Sequence, residues 1–317
     1  MAEARENRSL KFSNKVINYG RLIWKNKVTY SLLIPGIIWY ILFAYFPMGG
    51  LMLAFKEYKA NLGILKSPFV GLQNYEYVFR DITFWRSMWK TIYINFGRML
   101  FQFPAPIILA LLINEFRARR YKRVLQTIYI FPHFLSWVIV ASIATNILSL
   151  DGLVNQIATV LGGAPSNFLG NPPTFIPLLY ATDIWKYAGY GSIIYLAAIS
   201  GINVDQYEAA DIDGATRLQK LFMITIPNIM PTIIVMFILT SGNLMTIGFD
   251  QIFNMSNAAV KDVCETLDMY IYRITFKSAT DFSFSTAVSL FRSVMNMLLL
   301  IMANKGSKLM GGSGLFG

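Results

Sequence analysis

Long apolar stretches separated by short polar segments dominate this chain. A helix that crosses a bilayer needs about 20 mainly apolar residues, and the runs that meet this length cover residues 29–54, 89–113, 124–149, 175–200, 229–250 and 284–303. The pattern therefore predicts an all-α membrane protein with six transmembrane helices. An N-terminal arm (1–28) and a C-terminal tail (304–317) flank the transmembrane part, which spans 29–303. Pro104 and Pro106 inside the second run indicate kinked helices around a cavity, since neighbouring helices can satisfy the freed backbone groups.

Composition supports the same class. Only 14% of the 317 residues are charged, whereas soluble domains carry about 25%. The net charge of +11 comes from basic residues that cluster beside the apolar runs. The positive-inside rule explains this better than nucleic-acid binding, so no nucleic acid is expected as a partner. A lone Cys264 excludes an internal disulfide framework, and a lone His133 excludes a histidine metal cluster.

The basic residues also predict the orientation. Residues 114–123 contain five arginines and lysines, whereas residues 150–174 contain none, so the first segment is expected in the cytoplasm and the second outside. With six spans, both termini and the loop 201–228 are then cytoplasmic. The basic segment 55–88 must then lie outside, which the rule disfavours, but the other loops together outweigh it. Lys122 and Arg123 could also contact anionic lipid headgroups.

A polar stretch between the fourth and fifth runs has the features of two short helices and a turn. Asn203 or Asp205 can cap the first helix, and Glu208 lies in its first turns, where the helix dipole favours an anion. Gly214 permits a sharp turn. Residues 215–223 are expected to form a second short amphipathic helix, and Pro227 is expected to end it before the next span. The compact helix–turn–helix is predicted to be a docking element.

The spacing of the residues within this stretch matches a known motif. It reads Glu208-Ala209-Ala210, three residues, Gly214, nine residues, then Ile224-Thr225-Ile226-Pro227. This resembles the EAA loop of permease subunits of bacterial ATP-binding-cassette (ABC) importers, with Ile226 in place of the usual Leu. The resemblance implies that the loop is a coupling helix that inserts into a cleft of a separate ATPase. The coupling residues would be Tyr207, Glu208, Ala209, Ala210, Asp211, Gly214, Ile224 and Pro227.

Three further segments are similar to one carbohydrate-uptake branch, that of maltose-type permeases and polysaccharide importers of Gram-positive bacteria. They are residues 71–75, 131–137 and 248–253. The resemblance implies a type I importer fold in the bacterial cytoplasmic membrane and an oligosaccharide cargo. It also implies a second, non-identical permease, two ATPase subunits and an extracytoplasmic solute-binding lipoprotein. A peptide or amino-acid permease of the same superfamily remains an alternative, as does a stand-alone secondary transporter.

The chain itself carries no pattern for covalent chemistry. It lacks a G-x-x-x-x-G-K-[ST] phosphate-binding motif, so ATP and magnesium are expected on the partner ATPase. It also lacks a nucleophile–base pair and a metal-ligand set, so no catalytic or metal-binding residue is predicted.

Charged and aromatic residues inside the runs are candidates for the substrate path, because an isolated charge in hydrocarbon is costly. Arg98 lies near mid-bilayer, and Asp183 and Lys186 share one helix face, where they can neutralise each other. Sugar sites combine aromatic faces with polar groups. The predicted path residues are Arg98, Trp185, Tyr190 and Asn243, with helix packing and interface anchoring as alternative roles. If Arg98 faces the cavity, an acidic oligosaccharide such as a uronide is the expected cargo.

Overall fold

The computed structural model describes residues 22, 24–116, 118–278 and 281–309. Most of the predicted N-terminal arm and the last residues of the tail lie outside these ranges. Within them the chain is helical, with no β-strand and one isolated antiparallel bridge between Lys56 and Phe69. The predicted all-α fold is confirmed.

The helices are numbered here in chain order. They are α1 (Lys27–Tyr40), α2 (Gly63–Lys66), α3 (Gln73–Arg80), α4 (Ile82–Gln102), α5 (Pro104–Glu115), α6 (Arg119–Ile130), α7 (Trp137–Leu148), α8 (Leu153–Val160), α9 (Pro172–Ser200), α10 (Val204–Ile212), α11 (Arg217–Lys220), α12 (Ile226–Gly242), α13 (Phe249–Met255), α14 (Lys261–Cys264), α15 (Leu267–Arg273) and α16 (Phe282–Leu309). Tighter or wider turns extend four of them: Ile41–Tyr45 and Phe46–Phe55 after α1, Phe131–Phe134 after α6, Leu221–Thr225 after α11 and Ile274–Ser278 after α15.

Five helical stretches in the described part of the chain are long and apolar enough to cross a membrane. They are Lys27–Phe55, Ile82–Glu115, Trp137–Val160, Arg217–Gly242 and Phe282–Leu309. The 29-residue helix α9 is a sixth long helix, and it is the one that carries Asp183 and Lys186. The helix bounds are thus compatible with six crossings, one of them more polar than the others.

The predicted third run is not one helix. Helix α6 ends at Ile130, the 3₁₀ turn Phe131–Phe134 follows, and α7 begins only at Trp137. Two residues explain the break: Pro132 has no backbone N–H to donate, and the Ser136 hydroxyl accepts a hydrogen bond from the Ile139 amide at 3.3 Å, which caps the new helix.

The prediction that Pro227 ends a helix is wrong. Residues 217–242 form one continuous helical stretch. In the π turn before Pro227, the Ile226 amide donates to the Leu221 carbonyl oxygen, five residues back. This wider register accommodates a residue without an N–H group, and the Asn228 side chain adds a donor to the Ile224 carbonyl at 2.8 Å. The predicted second amphipathic helix is therefore the first part of the membrane helix, with α11 as its only separate turn.

The fifth run also ends earlier than predicted. Helix α12 stops at Gly242, and turns lead to Gly248, whose φ of +96° lies in the left-handed region. A residue with a Cβ resists that conformation. The chain changes direction there, and α13 starts as a separate helix.

Two buried clusters fix the two ends of the bundle. One joins Ile113 at the end of α5 to Ile199 at the end of α9 and Ile229 at the start of α12. The basic loop after α5 and the predicted coupling element, residues 203–227 after α9, therefore lie at the same end. The other cluster joins Phe84 on α4 to Leu267 and Tyr270 on α15 and to Val288 on α16, at the opposite end.

Asp81 strengthens that opposite end. Its carboxylate caps α4 by accepting from the Thr83 amide at 2.7 Å, and it also accepts from the Tyr270 hydroxyl. Burial disfavours the charged carboxylate, but the hydrogen bonds from Tyr270 and Thr83 outweigh this, so the pKa of Asp81 lies below its usual range.

Helix α9 is central: it contacts α4, α5, α6, α12 and the turn Phe131–Phe134. Gly189 makes the closest approach, because a Cβ at this position would overlap the carbonyl oxygen of Tyr129. Absence of a side chain thus lets the backbones of α9 and α6 meet, as small residues do in other membrane bundles.

We predict that Gly189→Ala lowers the stability of the folded chain by about 1–3 kcal/mol, the usual cost of overpacking. The measurement is thermal unfolding of the purified protein in detergent. Gly201→Ala is the matched control, because its nearest contact would be an ordinary 3.5 Å to the Ala198 carbonyl oxygen. Equal unfolding temperatures for the two variants would contradict the packing argument.

Candidate translocation cavity and coupling element

A cavity of about 540 Å³ lies between α4, α5, α9 and α12 and is closed on one side by the turn before α13. Arg98 lines it and lies at the middle of the 34-residue stretch Ile82–Glu115. The aromatic part of the wall comes from Tyr187, Tyr190 and Tyr195 of α9 together with Trp137 of α7. The cavity thus has apolar rings on one side and a charged group at mid-membrane depth.

Arg98 belongs to a buried polar network that joins three helices. Its Nε lies 3.7 Å from Oδ2 of Asp183 on α9, and its Nη2 donates to Oε1 of Gln251 on α13 at 2.6 Å. Gln251 in turn donates to the Leu179 carbonyl oxygen at 2.7 Å and to the Thr182 hydroxyl at 2.8 Å. Arg98, Asp183 and Gln251 are all almost completely buried. The network therefore fixes the guanidinium in position.

The guanidinium still has hydrogen-bonding capacity. Nε and Nη1 of Arg98 have no hydrogen-bond partner among the described residues, although both are buried. Gly248 lies directly against this group, since a Cβ there would overlap Nη1. A guanidinium with an unused N–H group at a cavity wall can donate a charge-assisted hydrogen bond to a carboxylate.

Lys186 has a different partner from the one that we predicted. Asp183 lies against Arg98, and the Lys186 ammonium group instead donates to the carbonyl oxygens of His133, at 2.8 Å, and of Leu135. It also lies 3.4 Å from the carbonyl oxygen of Pro132. These carbonyl groups belong to the break between α6 and α7, where the helix bonds are lost. Lys186 therefore donates hydrogen bonds, from inside the bundle, to carbonyl groups that lack helical partners.

The broken span supplies part of the aromatic wall. The His133 ring stacks on Tyr190 with centroids 3.8 Å apart and planes 3° from parallel. Trp137 Nε1 donates to the Tyr187 hydroxyl at 3.2 Å. Flat rings in fixed orientations can pack against the C–H faces of a sugar.

Of the four predicted path residues, the structure brings Arg98, Tyr190 and Asn243 together around the cavity. Trp185 does not line it, and its side chain is 49% exposed on the outside of the bundle. The reason is helix phase, because a residue two positions after Asp183 points to the opposite face whereas the residue four positions after it, Tyr187, shares the face. Helix periodicity counted from Asp183 would have found Tyr187.

Sequence reasoning also missed Gln251 and Gly248 as parts of this site. Both lie in the segment 248–253, which resembled the carbohydrate branch, but nothing in that segment indicates that it contacts residue 98. Their role depends on a long-range contact between α4 and α13.

The predicted coupling element forms as two short helical segments around a glycine turn. Asn203 caps α10 by accepting from the Asp205 amide at 3.1 Å. At the other end, the Ala215 amide donates to the Ala210 carbonyl at 2.9 Å and the Gly214 amide to the Asp211 carbonyl at 3.2 Å. With φ of +74° at Gly214, this is a Schellman motif. No atom lies within 4 Å of a Cβ built there, so backbone conformation alone demands the glycine.

Side chains tie the element to the membrane helix that follows. The Tyr207 and Thr225 hydroxyls are 2.8 Å apart, and Lys220 forms an ion pair with Asp211. Asn228 donates to Gln206 at 3.0 Å. These bonds cross between α10 and the stretch 217–242, so they hold α10 to the start of the membrane helix.

The outer surface of the element is open. Glu208 and Ala209 are exposed, and the side chain of Ile212 is 88% exposed. A groove of about 450 Å³ lies beside them and is lined by Ala209, Ala210, Gly214 and Ile224. Exposed apolar side chains rimmed by charges are typical of a protein-binding surface.

A helical membrane bundle with a central cavity beside a buried charge and a rigid element at one end is typical of a transport subunit. Residues 102–253 match the family described as binding-protein-dependent transport system inner membrane component. The chain is 39% identical to Protein LplB of Bacillus subtilis, over 96% of both chains. It is also 39% identical to the polygalacturonan/rhamnogalacturonan transport system permease protein YteP of Bacillus subtilis, over 92% of this chain and 91% of that protein.

A solved structure agrees with these relatives. One chain in the crystal structure of a bacterial alginate ABC transporter, in complex with its alginate pentasaccharide-bound periplasmic protein, superimposes with a TM-score of 0.85. It is 35% identical to this chain, and the match covers 93% of this chain and 99% of that one.

This chain therefore belongs to the family of binding-protein-dependent transport system inner membrane components. It is a multi-pass permease subunit of the carbohydrate ABC importer class. The comparisons support this prediction and not its alternatives, the peptide or amino-acid permease and the secondary transporter.

We predict that Arg98→Gln alone destabilises the protein by about 3–5 kcal/mol, because it leaves the buried Asp183 carboxylate unpaired. The double variant Arg98→Gln/Asp183→Asn removes both charges, so most of the lost stability should return. Thermal unfolding in detergent measures both effects. If the double variant were as unstable as the single one, the ion pair would not be the reason for the loss.

Proposed function

We propose that this chain forms half of the translocation pathway of an ABC importer for acidic oligosaccharides. A second, similar permease supplies the other half, and an extracytoplasmic solute-binding lipoprotein delivers the cargo. Two ATPase subunits, which bind ATP and magnesium, drive transport through the loop 203–227. The observation that carries the choice of cargo is the Arg98 guanidinium, which has unused N–H groups at the wall of the central cavity.

The chemistry of the cargo follows from that group. Charge-assisted hydrogen bonds from a guanidinium to a carboxylate are among the strongest in proteins, and a uronate carries one carboxylate on each sugar ring. The aromatic wall formed by Tyr187 and Tyr190 offers apolar faces to the same rings. The names of similar proteins support this choice: one transports polygalacturonan/rhamnogalacturonan, and another is involved in the import of the acidic polysaccharide alginate.

The coupling role rests on the geometry of the loop. Glu208 and Ala209 face outward on α10, while Tyr207 and Asp211 hold α10 to the stretch that becomes α12. Helix α12 contributes Asn243 and neighbouring residues to the cavity wall. A rigid-body movement of the ATPase can therefore reach the cavity through one continuous helix, as in other domain-rotation mechanisms.

The arrangement of the ends supports cytoplasmic termini in the bacterial cytoplasmic membrane. The basic residues of α6 lie at the same end of the bundle as the coupling element, which favours a cytoplasmic position for both. The C-terminal part of α16 points toward that end, because Ala303 and Gly306 share a small cavity with Ile233 in the middle of α12. The start of α16 lies at the other end, where Ser283 accepts from the Tyr58 amide. Helix α1 therefore begins at the coupling end.

The cargo is tested by uptake of trigalacturonate and of its methyl ester, which has the same shape without the charge. In the double variant Arg98→Gln/Asp183→Asn we expect uptake of trigalacturonate to fall about 10- to 100-fold, the equivalent of one charged hydrogen bond. Uptake of the methyl ester should change much less. A variant that lost both activities equally would remove Arg98 from cargo recognition.

The coupling role is tested by a mild-detergent pull-down of the tagged chain, with partners identified by mass spectrometry. The wild type should recover an ATPase, a second permease and a binding lipoprotein. Glu208→Lys should lose the ATPase and ATP-driven uptake while the chain still inserts into the membrane. Gly214→Val should do the same, because a β-branched residue tolerates positive φ poorly.

Gly214→Asn is the matched control, since Asn adopts the left-handed conformation readily. It should retain the ATPase. Retention of the ATPase and normal uptake in both Glu208→Lys and Gly214→Val would contradict the docking assignment.

A further inference from the structure

A second cavity lies at the end of the bundle opposite the coupling element. It has a volume of about 400 Å³ and is enclosed by α13, α14, α15 and the π turn after α15. The stretch Arg217–Gly242 crosses the bundle once from the loop 203–227. Gly248 and Gln251 then reach back to Arg98, whereas Leu267 and Tyr270 of α15 belong to the cluster at the far end. In the proposed orientation this cavity opens to the outside.

The cavity is cationic. Lys261, Arg273 and Lys277 line it, against a single carboxylate from Glu265. Arg273 Nε is paired with Glu265 Oε1 at 2.7 Å. Lys261 and Lys277 are exposed, and neither forms an ion pair with a carboxylate in the described part of the chain. Two positive charges are therefore available to an anion.

Other groups in the cavity add no negative charge. Cys264 is buried at its base, and burial raises the pKa of the thiol to about 11. The thiol is therefore neutral at physiological pH. Asn257 is held by its own hydrogen bonds, with its side chain donating to the Leu169 carbonyl at 2.8 Å and accepting from the Ala259 amide at 3.0 Å. It shapes the wall and is not free to bind a ligand.

An aromatic surface lies beside the cations. The rings of Phe253 and Tyr272 meet edge to face with centroids 5.0 Å apart, and both line the cavity. The Lys277 ammonium group lies 5.6 Å from the centre of the Tyr272 ring. An aromatic face next to a pair of ammonium groups matches a sugar ring that carries a carboxylate.

The second cavity and the central one share a helix. Gly248, the residue before α13, lines the central cavity against Arg98, whereas Phe253, five residues later, lines the second one. Five residues of helix rise about 7.5 Å. Gln251 lies between them and is bound to Arg98. An oligosaccharide with a carboxylate on each ring can therefore meet cationic groups on both sides of α13.

We propose that this cavity is a uronate-binding subsite at the outer mouth of the translocation pathway. Lys261 and Lys277 bind the carboxylate of one sugar residue, and Tyr272 packs against its ring. The subsite holds the anionic chain before it moves into the central cavity. This inference rests on the proposed acidic cargo.

The test uses the complete transporter in membrane vesicles with its binding protein and compares the wild type with Lys261→Gln/Lys277→Gln. We expect the KM for trigalacturonate to rise about tenfold at low salt. The difference should shrink at high ionic strength, because exposed charges are screened. The KM for the methyl ester should stay unchanged. Lys66→Gln is the matched control, since this exposed lysine lies in the segment 55–81 and does not line the cavity.

The outcomes separate this inference from the proposed function. If the wild type does not take up trigalacturonate, the acidic cargo is wrong and the subsite is wrong with it. If the wild type takes it up and the double variant has the same KM and salt dependence, only the subsite is wrong. A variant that needs more binding protein for half-maximal ATP hydrolysis, with charged and uncharged cargo alike, would mean that this surface docks the binding protein, which would also overturn the subsite.

Discussion

The arrangement of the bundle depends on one buried ion pair. A charge at the centre of a membrane helix costs about 2.5–3.5 kcal/mol even on scales that allow for relaxation. Arg98 meets this cost through Asp183 and Gln251, which come from two other helices. Because Gln251 also holds the backbone of α9, the network sets the distance between α4, α9 and α13. Helices α4 and α9 also line the central cavity, and Gly248 before α13 closes it. The contacts that stabilise the buried charge therefore also set the shape of the cavity.

A second constraint is the break in the helix before α7. Backbone carbonyl groups inside a membrane must find donors within the protein. Lys186 supplies them with its buried ammonium group, and Gly189 lets α9 come close enough for this contact. The consequence is functional, because the break turns His133 inward to stack on Tyr190. An unbroken helix would have placed these rings in a different phase.

The groups to which we assign functions lie at three depths along the bundle. The coupling element offers exposed apolar and acidic groups at one end, Arg98 lies in the middle, and Lys261 and Lys277 lie at the other end. The two outer sites are carried by short helices and turns, whereas the central one is held by long helices. This division fits an importer in which a rigid core rotates and the ends contact other molecules.

Much of this protein is determined by local pattern. The apolar runs set the all-α class, because each crossing helix must be apolar over its own length whatever its neighbours are. The turn at Gly214 is equally local, since a φ of +74° depends on one residue. Helix bounds were less predictable from the sequence. The helix breaks at Pro132, where Ser136 caps a new helix, but continues through Pro227, where a π turn precedes the proline. A proline alone does not distinguish the two cases.

The partners of Asp183 and Lys186 were decided only by the tertiary structure. Both lie on one helix face, where pairing with each other was the simplest local solution. Packing brought Arg98 and a set of freed carbonyl groups closer, and such contacts between residues far apart in the chain leave no periodic trace in a single sequence.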